Sequence, residues 1–284
     1  MSGITGVAVA LVLASCGTST ALQMAPTAYL AAATRTTLAR STADVTLSGS
    51  IDTGGRTVEM TGTGTADFST NAVTMDMSTQ LGPGRTFEIR ELLVDGTMYV
   101  GMVIDGQSLK QATGRDWIRL SVPIACASAG GASSDPVDQL RLLAAKGGSV
   151  SSLGTSVIGG RRVQGFSYAP SRQQALARLD TIASKCGLTP AQQATARTAF
   201  QAGHLPSSKV WFSTDQLLRR MQMVMSMPSS AGGTPTDENV TMDFSNYGAQ
   251  VDITPPASSD VMSEQQFQAF ANAQGGGTSP TTNG

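Results

Sequence analysis

Apolar and polar residues alternate along several stretches of the chain, which is typical of β-strands with one apolar and one solvated face. The pattern is most regular over residues 44–51, 57–68 and 73–78, where Val, Met and Gly alternate mainly with Thr, Ser and Asp. Short turns such as Asp95-Gly96 separate the stretches, so the pattern predicts antiparallel pairing. Further strands are predicted over residues 87–94, 98–104, 117–122, 149–158, 162–168, 209–213, 217–227, 240–244 and 250–254.

Residues at helical spacing fall in separate blocks, which indicates the α+β class. The first predicted helix covers residues 26–40 and begins with Pro26, a residue favoured at that position. A single domain over residues 26–256 is expected, because the late strands complete the sheet that the early strands begin. Residues 257–284 are expected to form a short helix and a disordered tail. The other predicted helices cover residues 135–146, 171–186, 189–202 and 263–273.

The N-terminus carries an apolar run over residues 4–14 that is about half as long as a membrane-spanning helix needs. Its end, Leu13-Ala14-Ser15-Cys16, resembles the bacterial lipobox. That resemblance implies a signal peptide over residues 1–15, diacylglycerol on the Cys16 thiol and a tether over residues 16–25. An ordinary secretory signal and a buried N-terminal helix remain alternatives, because no Lys or Arg precedes the run.

Two cysteines remain once Cys16 is assigned to the anchor. In an exported chain Cys126 and Cys186 are expected to form a disulfide, with two buried free thiols as the alternative. The expected location is the outer face of the bacterial plasma membrane, where acyl chains on Cys16 hold the protein.

The net charge is −1 and the chain has no run of Lys or Arg, which argues against nucleic acid and polybasic membrane binding. The only histidine, His204, has no G-x-S-x-G serine to form a catalytic triad with. No cluster has zinc-ligand spacing either. We therefore expect no enzyme, no metal site and no cofactor.

Four methionines, Met221, Met223, Met225 and Met227, recur at a spacing of two, so a strand would present all four thioethers on one face. Three interpretations remain open. The methionines could fill a core, form an adaptable apolar wall for a ligand, or bind Cu(I) through soft thioether ligands.

Several motifs together are similar to the LppX/LprG family of actinobacterial lipoproteins. They are V-D-G-T-M-Y-V at residues 94–100, D-W-I-R-L at 116–120, V-W-F-S-T-D-Q-L-L-R-R at 210–220 and D-F-S-N-Y-G-A-Q-V-D-I-T-P-P at 243–256. The resemblance implies a LolA/LolB-like fold, in which a curved, unclosed antiparallel sheet of about ten strands carries helices on its concave side. It also implies an apolar cavity that takes a lipid or lipoglycan.

A cavity is also expected because alanine-rich helices bring little volume to cover so large an apolar face. Gly62 and Gly64 lie on that face and are expected to leave it hollow. The expected lining is Met60, Gly62, Gly64, Phe68, Met75, Met77, Phe87, Ile89, Met221, Met223, Met225, Val240 and Met242.

The sequence and the resemblance therefore predict a membrane-anchored lipoprotein that binds a lipid or lipoglycan and carries it within the cell envelope. An envelope transporter or regulator is a candidate partner. The alternative is a LolA-like protein-interaction or regulatory module without enzymatic activity.

Overall fold

The computed structural model describes most of the chain from residue 24 to residue 274. Cys16, Cys126, His204, the signal peptide, most of the tether and the tail after residue 274 lie outside the described residues. Cys186 ends a helix, but its side chain is also outside the description. The described residues are 24–53, 56–120, 140–141, 143, 148–186, 189–201, 207–227 and 236–274.

Thirteen strands in the described part of the chain form one large sheet. The alternation of apolar and polar residues continues through most of them, so each strand contributes one apolar face. The strands are β1 (Thr42–Thr53), β2 (Arg56–Asp67), β3 (Ala72–Gly82), β4 (Arg85–Val94), β5 (Thr97–Ile104), β6 (Gln107–Ser108), β7 (Trp117–Arg119), β8 (Ser149–Ile158), β9 (Arg161–Ala169), β10 (Ser207–Ser213), β11 (Leu218–Met227), β12 (Thr236–Ser245) and β13 (Val261–Ser263).

The order across the sheet is β13-β7-β5-β4-β3-β2-β1-β12-β11-β10-β9-β8, with β6 attached to β5. Every neighbouring pair is antiparallel except β7 and β13, which are parallel. Strand β1 pairs with both β2 and β12, so the late strands do complete the early sheet. The predicted α+β class with a curved, unclosed sheet is confirmed, although the strands outnumber the expected ten.

Five helices are described along their length: α1 (Pro26–Leu38), α2 (Leu109–Thr113), α3 (Arg172–Cys186), α4 (Pro190–Gln201) and α5 (Glu264–Gln274). A capping box starts three of them. In α2 the hydroxyl of Ser108 accepts from the Gln111 amide while the Gln111 side chain accepts from the Ser108 amide. Ser171 with Gln174 and Ser263 with Gln266 make the same reciprocal bonds before α3 and α5.

The predicted strands differ from the observed ones in three ways. The predicted strand over residues 250–254 is wrong. The residues just before it form hydrogen bonds with the start of β1 and do not extend the strand pairing of the sheet. The Gly248 amide donates to the Thr42 carbonyl, and the Thr42 hydroxyl donates to the Ala249 carbonyl. Strand β7 ends at Arg119, three residues earlier than predicted. Strands β6 and β13 were not predicted, because two or three residues are too few for alternation to stand out.

Candidate functional site

The two ends of the strands differ, and we name them the base and the rim. The base holds the turns that follow β2 and β4, at residues 68–71 and 95–96, and residues 214–217 between β10 and β11. The rim holds the turns that follow β3 and β5, at residues 83–84 and 105–106. Helix α1 lies against the concave face of the sheet, so the apolar side chains of that face can be followed from base to rim along each strand.

One row of directly paired residues crosses the middle of the concave face. Its members come from nine neighbouring strands and include no charged and no polar side chain. The row is therefore a continuous apolar surface across most of the sheet. It runs through Phe166, Val210, Met221, Met242, Leu47, Gly62, Met77, Ile89 and Met102.

Burial of this face falls from the base to the rim on the β3–β5 side. Along β5, Met98 at the base is 4% exposed and Ile104 at the rim is 44% exposed. Along β3, Val73 is 5% exposed and Leu81 is 38% exposed. Ile104 points to the concave side by alternation, whereas Leu81 lies at an irregularity of the β3–β4 register, between Gln80 and Gly82, where alternation is interrupted. Within the described part of the chain, the concave face is thus closed at the base and open at the rim.

The β9–β12 side of the face is covered by α1. Tyr29 stacks on Phe166 of β9, and the Leu30 side chain is fully buried in the same core. At the other end of the helix, the Leu218 amide of β11 donates to the Thr37 hydroxyl at 3.0 Å. Leu140 and Leu143, which are helical, are buried in this core as well. This half of the face is therefore packed.

The methionine ladder lies on the packed half. Met221 and Met223 are buried in the core cluster and pair with Met242 and Val240 of β12. For Met221 and Met223 the structure therefore shows the first of the three interpretations, packing in the core. Met225 pairs with Glu238 in register, but the side chain of Met225 is not among those described. Thioethers adapt their shape easily, so the same residues can also yield to a flexible ligand.

The other residues expected to line a cavity share this face. Met75, Met77 and Phe68 are buried in the same cluster, while Met60 and Ile89 are half-buried and pack against it. Phe87 is half-buried nearer the rim. The structure thus gathers the predicted residues on one surface, and their contact with a ligand stays a prediction.

The expectation that Gly62 and Gly64 leave the sheet hollow is wrong. A β-carbon at Gly62 would lie 2.9 Å from both the Asp76 carbonyl oxygen and Cγ of Met77. At Gly64 it would overlap the Thr74 carbonyl oxygen and crowd the sulfur of Met75. The two glycines let strands β2 and β3 approach closely, and methionine side chains fill the space above them.

The expected lining left out several residues of the concave face, among them Glu91, Met102 and Ile104. The alternation that placed Ile89 on this face also places Glu91 there, opposite Met75 and Val100 in register. Glu91 is half-buried and is the polar exception among the β4 residues on this side. Its place in the alternation was the signal that could have identified it.

A separate open groove of about 600 Å³ lies at the base and is lined mostly by polar groups. Its lining includes Arg40, Asp67 and Asp252, and none of the predicted lining residues contributes to it. Partial burial raises the pKa of Asp67, but hydrogen bonds from Ser69 and Thr70 outweigh that effect and hold the pKa below its ordinary value. The groove does not resemble a site for an apolar ligand.

Among the residues that the structure describes, no group of three His, Cys, Asp or Glu side chains could hold a metal ion. In that same part of the chain, no helix has both the length and the apolar character needed to cross a bilayer.

Solved structures that are similar to this chain include two mycobacterial lipoproteins. LprF from Mycobacterium bovis is 15% identical with a TM-score of 0.39, and the match covers 82% of this chain and 97% of LprF. The lipoprotein LppX from Mycobacterium tuberculosis is 10% identical with a TM-score of 0.35, over 79% of this chain and 98% of LppX. LppX gives its name to the lipoprotein family that the sequence motifs resemble.

A third similar structure is the MucA/MucB complex from Pseudomonas aeruginosa. It is 11% identical with a TM-score of 0.33, over 80% of this chain and 61% of the matched one. No protein-family model matches the sequence, and no curated protein matches it either.

Proposed function

We propose that this protein is an exported lipoprotein that binds a lipid or lipoglycan on its concave face and carries it within the cell envelope. The observation that carries the proposal is the opening of the concave face at the rim, where Ile104 is exposed and Phe87 and Thr79 beside it are half-buried. Ile104 is directly paired with Phe87, and contiguous exposed apolar surface usually marks a binding site. The protein acts in this proposal without a cofactor and without catalysis.

The ligand would enter at the rim and lie along the apolar row toward the base. Ile89 in the middle row and Met60, one pair nearer the rim, are half-buried and would contact the outer part of an acyl chain. Deeper in, the buried Met77 and Met223 would have to move, which their unbranched side chains allow. Gly62 and Gly64 provide no space for the ligand, because the side chains of Met77 and Met75 already fill the space above them.

Thr79 offers a test because it is small and half-buried and lies one pair nearer the rim than the middle row, between Met60 of β2 and Phe87 of β4. Thr79→Phe puts a ring in the entrance without forcing the backbone. Ser78→Phe is the matched control, since Ser78 is the neighbour on the opposite face, between Thr61 and Glu88. Organic extraction and mass spectrometry of the purified non-acylated protein then measure the bound lipid.

We expect lipid in the unmodified chain and in Ser78→Phe, and a severalfold loss in Thr79→Phe at equal thermal stability. The absence of lipid from the unmodified chain would overturn the proposal. Equal loading in both variants would show that the ligand does not enter at the rim.

The anchor is a separate part of the proposal. Acylation of Cys16 would hold the carrier at the membrane surface, because buried acyl chains stabilise attachment by about 0.8 kcal/mol per CH₂ group. Cys16→Ala should therefore move the protein from the membrane fraction to the soluble or secreted fraction. A variant that stays with the membrane would refute lipidation at this position.

A protein-interaction module remains the second candidate, and strand β8 is the observation that favours it. Strand β8 is an edge of the sheet, and its sequence SVSSLGTSVI contains no charged residue. Leu153 and Val157 on this strand are 45% and 69% exposed. Uncharged edges with exposed apolar residues are suited to pairing with an added strand. A pull-down that captures a partner with the unmodified chain, but not with Val157→Lys, would support this function.

A further inference from the structure

Strand β8 forms one edge of the sheet, and among the described strands it pairs only with β9. Every residue from Ser151 to Val157 is exposed, so neither face of this part of the strand is covered. Edge strands are usually protected by charged side chains, proline, a bulge or a covering helix, since their unpaired amides and carbonyls otherwise bind a further strand. Of these protections the described strand has only a bulge, between Ser152 and Gly154.

The opposite edge of the sheet is protected in the usual ways. Strand β13 has only three residues, and helix α5 follows it directly and contacts both β13 and β7. A short edge that is covered by a helix offers little backbone to an added strand. The two edges of the sheet therefore differ, and β8 is the one suited to pairing.

The exposed apolar side chains of β8 lie on both faces of the edge. A β-carbon built on Gly165 would lie 3.1 Å from Cβ of Leu153 and 2.7 Å from Nε1 of Trp211, so Leu153 shares the convex face with that indole. Val157 pairs with Arg162, which alternation places on the concave face. A strand added to β8 would therefore bury apolar surface on each face, besides forming backbone hydrogen bonds.

The absence of charge on β8 favours a second copy of this chain as the added strand. Two identical strands that pair around a two-fold axis run antiparallel, and here the pairing places no like charges opposite each other, because β8 carries no charged residue. Arg161 and Arg162 follow the turn at the base end of the β8–β9 hairpin. In an antiparallel pair that end lies beside the rim end of the other copy, so the arginines of the two copies stay apart.

The position of α1 supports the same occupant. The helix begins over β8 and β9, because Tyr29 in its first turn stacks on Phe166 and the helix also contacts β8. A two-fold axis between two antiparallel β8 strands is perpendicular to the sheet, so both concave faces and both α1 helices lie on the same side. In the proposed function the acyl anchor on Cys16 precedes α1 along the chain. Two anchors would therefore start near the axis on the same side and could enter one bilayer.

We propose that two copies of this protein pair through β8 in antiparallel orientation and form one continuous sheet across a two-fold axis. The pairing goes beyond the proposed function, because it needs neither a bound lipid nor transport. It differs from the interaction module considered above in its partner, which is a second copy of this chain. Attachment of both copies to one membrane would strengthen the pairing, because it raises their effective concentration.

Analytical ultracentrifugation of the full exported chain with Cys16→Ala measures the pairing without the acyl anchor. We expect a dimer whose fraction rises with protein concentration. Ser151→Lys with Thr155→Lys places like charges on the edge, and the neighbours of these two positions on β9, Ser167 and Gln164, are uncharged. The dissociation constant of the dimer should rise roughly tenfold or more, since like charges on paired strands destabilise the pair.

A charge exchange identifies the second copy as the occupant. Ser151→Glu with Thr155→Glu should weaken the dimer in the same way as the lysine variant. An equimolar mixture of the lysine and glutamate variants should regain the dimer at low salt, where opposite charges attract with little screening. Only pairing of β8 with another β8 predicts this recovery.

Ser48→Lys with Thr63→Lys is the matched control, because it makes the same two substitutions at exposed positions of the internal strands β1 and β2. The control should dimerise like the parent chain, and circular dichroism should show that all variants fold. A chain that stays monomeric overturns the proposal, even if β8 captures a different protein. A dimer that the lysine variant leaves unchanged, an equal loss in the control, or a mixture of folded variants that does not recover would overturn it as well.

Lipid extraction from the same preparations tests the carrier function separately. A monomer that carries lipid refutes the pairing and leaves the carrier function intact. A dimer that carries no lipid refutes the carrier function and supports the pairing.

Discussion

The ring of Tyr29 in α1 stacks on the ring of Phe166 in β9, with the centroids 5.1 Å apart and the planes at 30°. The same tyrosine meets Phe212 of β10 edge-on at 6.5 Å. Both geometries are the favourable ones for aromatic pairs. Together they fix the first turn of α1 over two neighbouring strands, which is the side of the concave face that the structure closes.

Replacement of Tyr29 should therefore destabilise the part of the sheet that α1 covers. We expect Tyr29→Ala to lower the free energy of unfolding by about 2 kcal/mol, less than for a fully buried ring because Tyr29 is half-buried. Tyr29→Phe keeps both ring contacts and should change it by less than about 0.5 kcal/mol. Urea denaturation measures both. An equal loss in the two variants would mean that the hydroxyl, not the ring, is responsible.

Gly64 should tolerate no side chain. Gly64→Ala would drive a methyl group into the Thr74 carbonyl and the Met75 sulfur, and overpacking of this kind costs about 1–3 kcal/mol. Thr63→Ala, one residue away on the exposed convex face, should cost far less and serves as the control. Thermal melting compares them. Unchanged stability in Gly64→Ala would show that β2 and β3 lie farther apart than the structure places them.

Asp67 should make stability depend on acid pH. Its Oδ1 accepts bonds from the Ser69 amide at 2.8 Å, the Ser69 hydroxyl at 2.6 Å and the Thr70 amide at 3.2 Å. These bonds outweigh the effect of partial burial and lower the pKa of Asp67 in the folded state. The ionised carboxylate therefore favours folding at pH values above its unfolded-state pKa of about 3.9. That contribution is lost as the pH falls through the lower folded-state pKa.

Asp67→Asn keeps an acceptor oxygen of the same shape without the charge. We expect it to be less stable than the unmodified protein at pH 7, and the difference to shrink as the pH falls below about 4. The urea midpoints of the two proteins at neutral and acid pH measure this difference. A gap that stays constant with pH would show that the charge of Asp67 does not stabilise the turn.

Cys126 and Cys186 are expected to be joined in the exported protein, because the chain has no other cysteine besides Cys16. A bridge between positions this far apart would stabilise the fold by about 4 kcal/mol in the chain-entropy estimate. Thiol labelling of the denatured, non-reduced protein should find neither cysteine free. Two labelled thiols in each chain would disprove the disulfide.

Local pattern alone placed most of the strands and their faces. Over β1 and β3 the alternation correctly assigned Val45 and Met77 to the core, because a period of two is a property of one extended strand and needs no partner. Pro26 likewise marked the start of α1, since its fixed backbone angle suits that position wherever the helix packs. The expectation failed at residues 250–254, where non-local bonds from Gly248 and Thr42 replaced the ladder.

The sequence by itself determined which residues face the apolar side and that the class is α+β, because both follow from periodicity and the grouping of elements. Only the tertiary structure decided that Gly62 lies under Met77 and that β13 joins the edge of the sheet next to β7. These features depend on which strands pair, and pairing is fixed by backbone hydrogen bonds between residues far apart in the chain. The alternation of apolar and polar residues locates each strand, but it does not specify which other strand pairs with it.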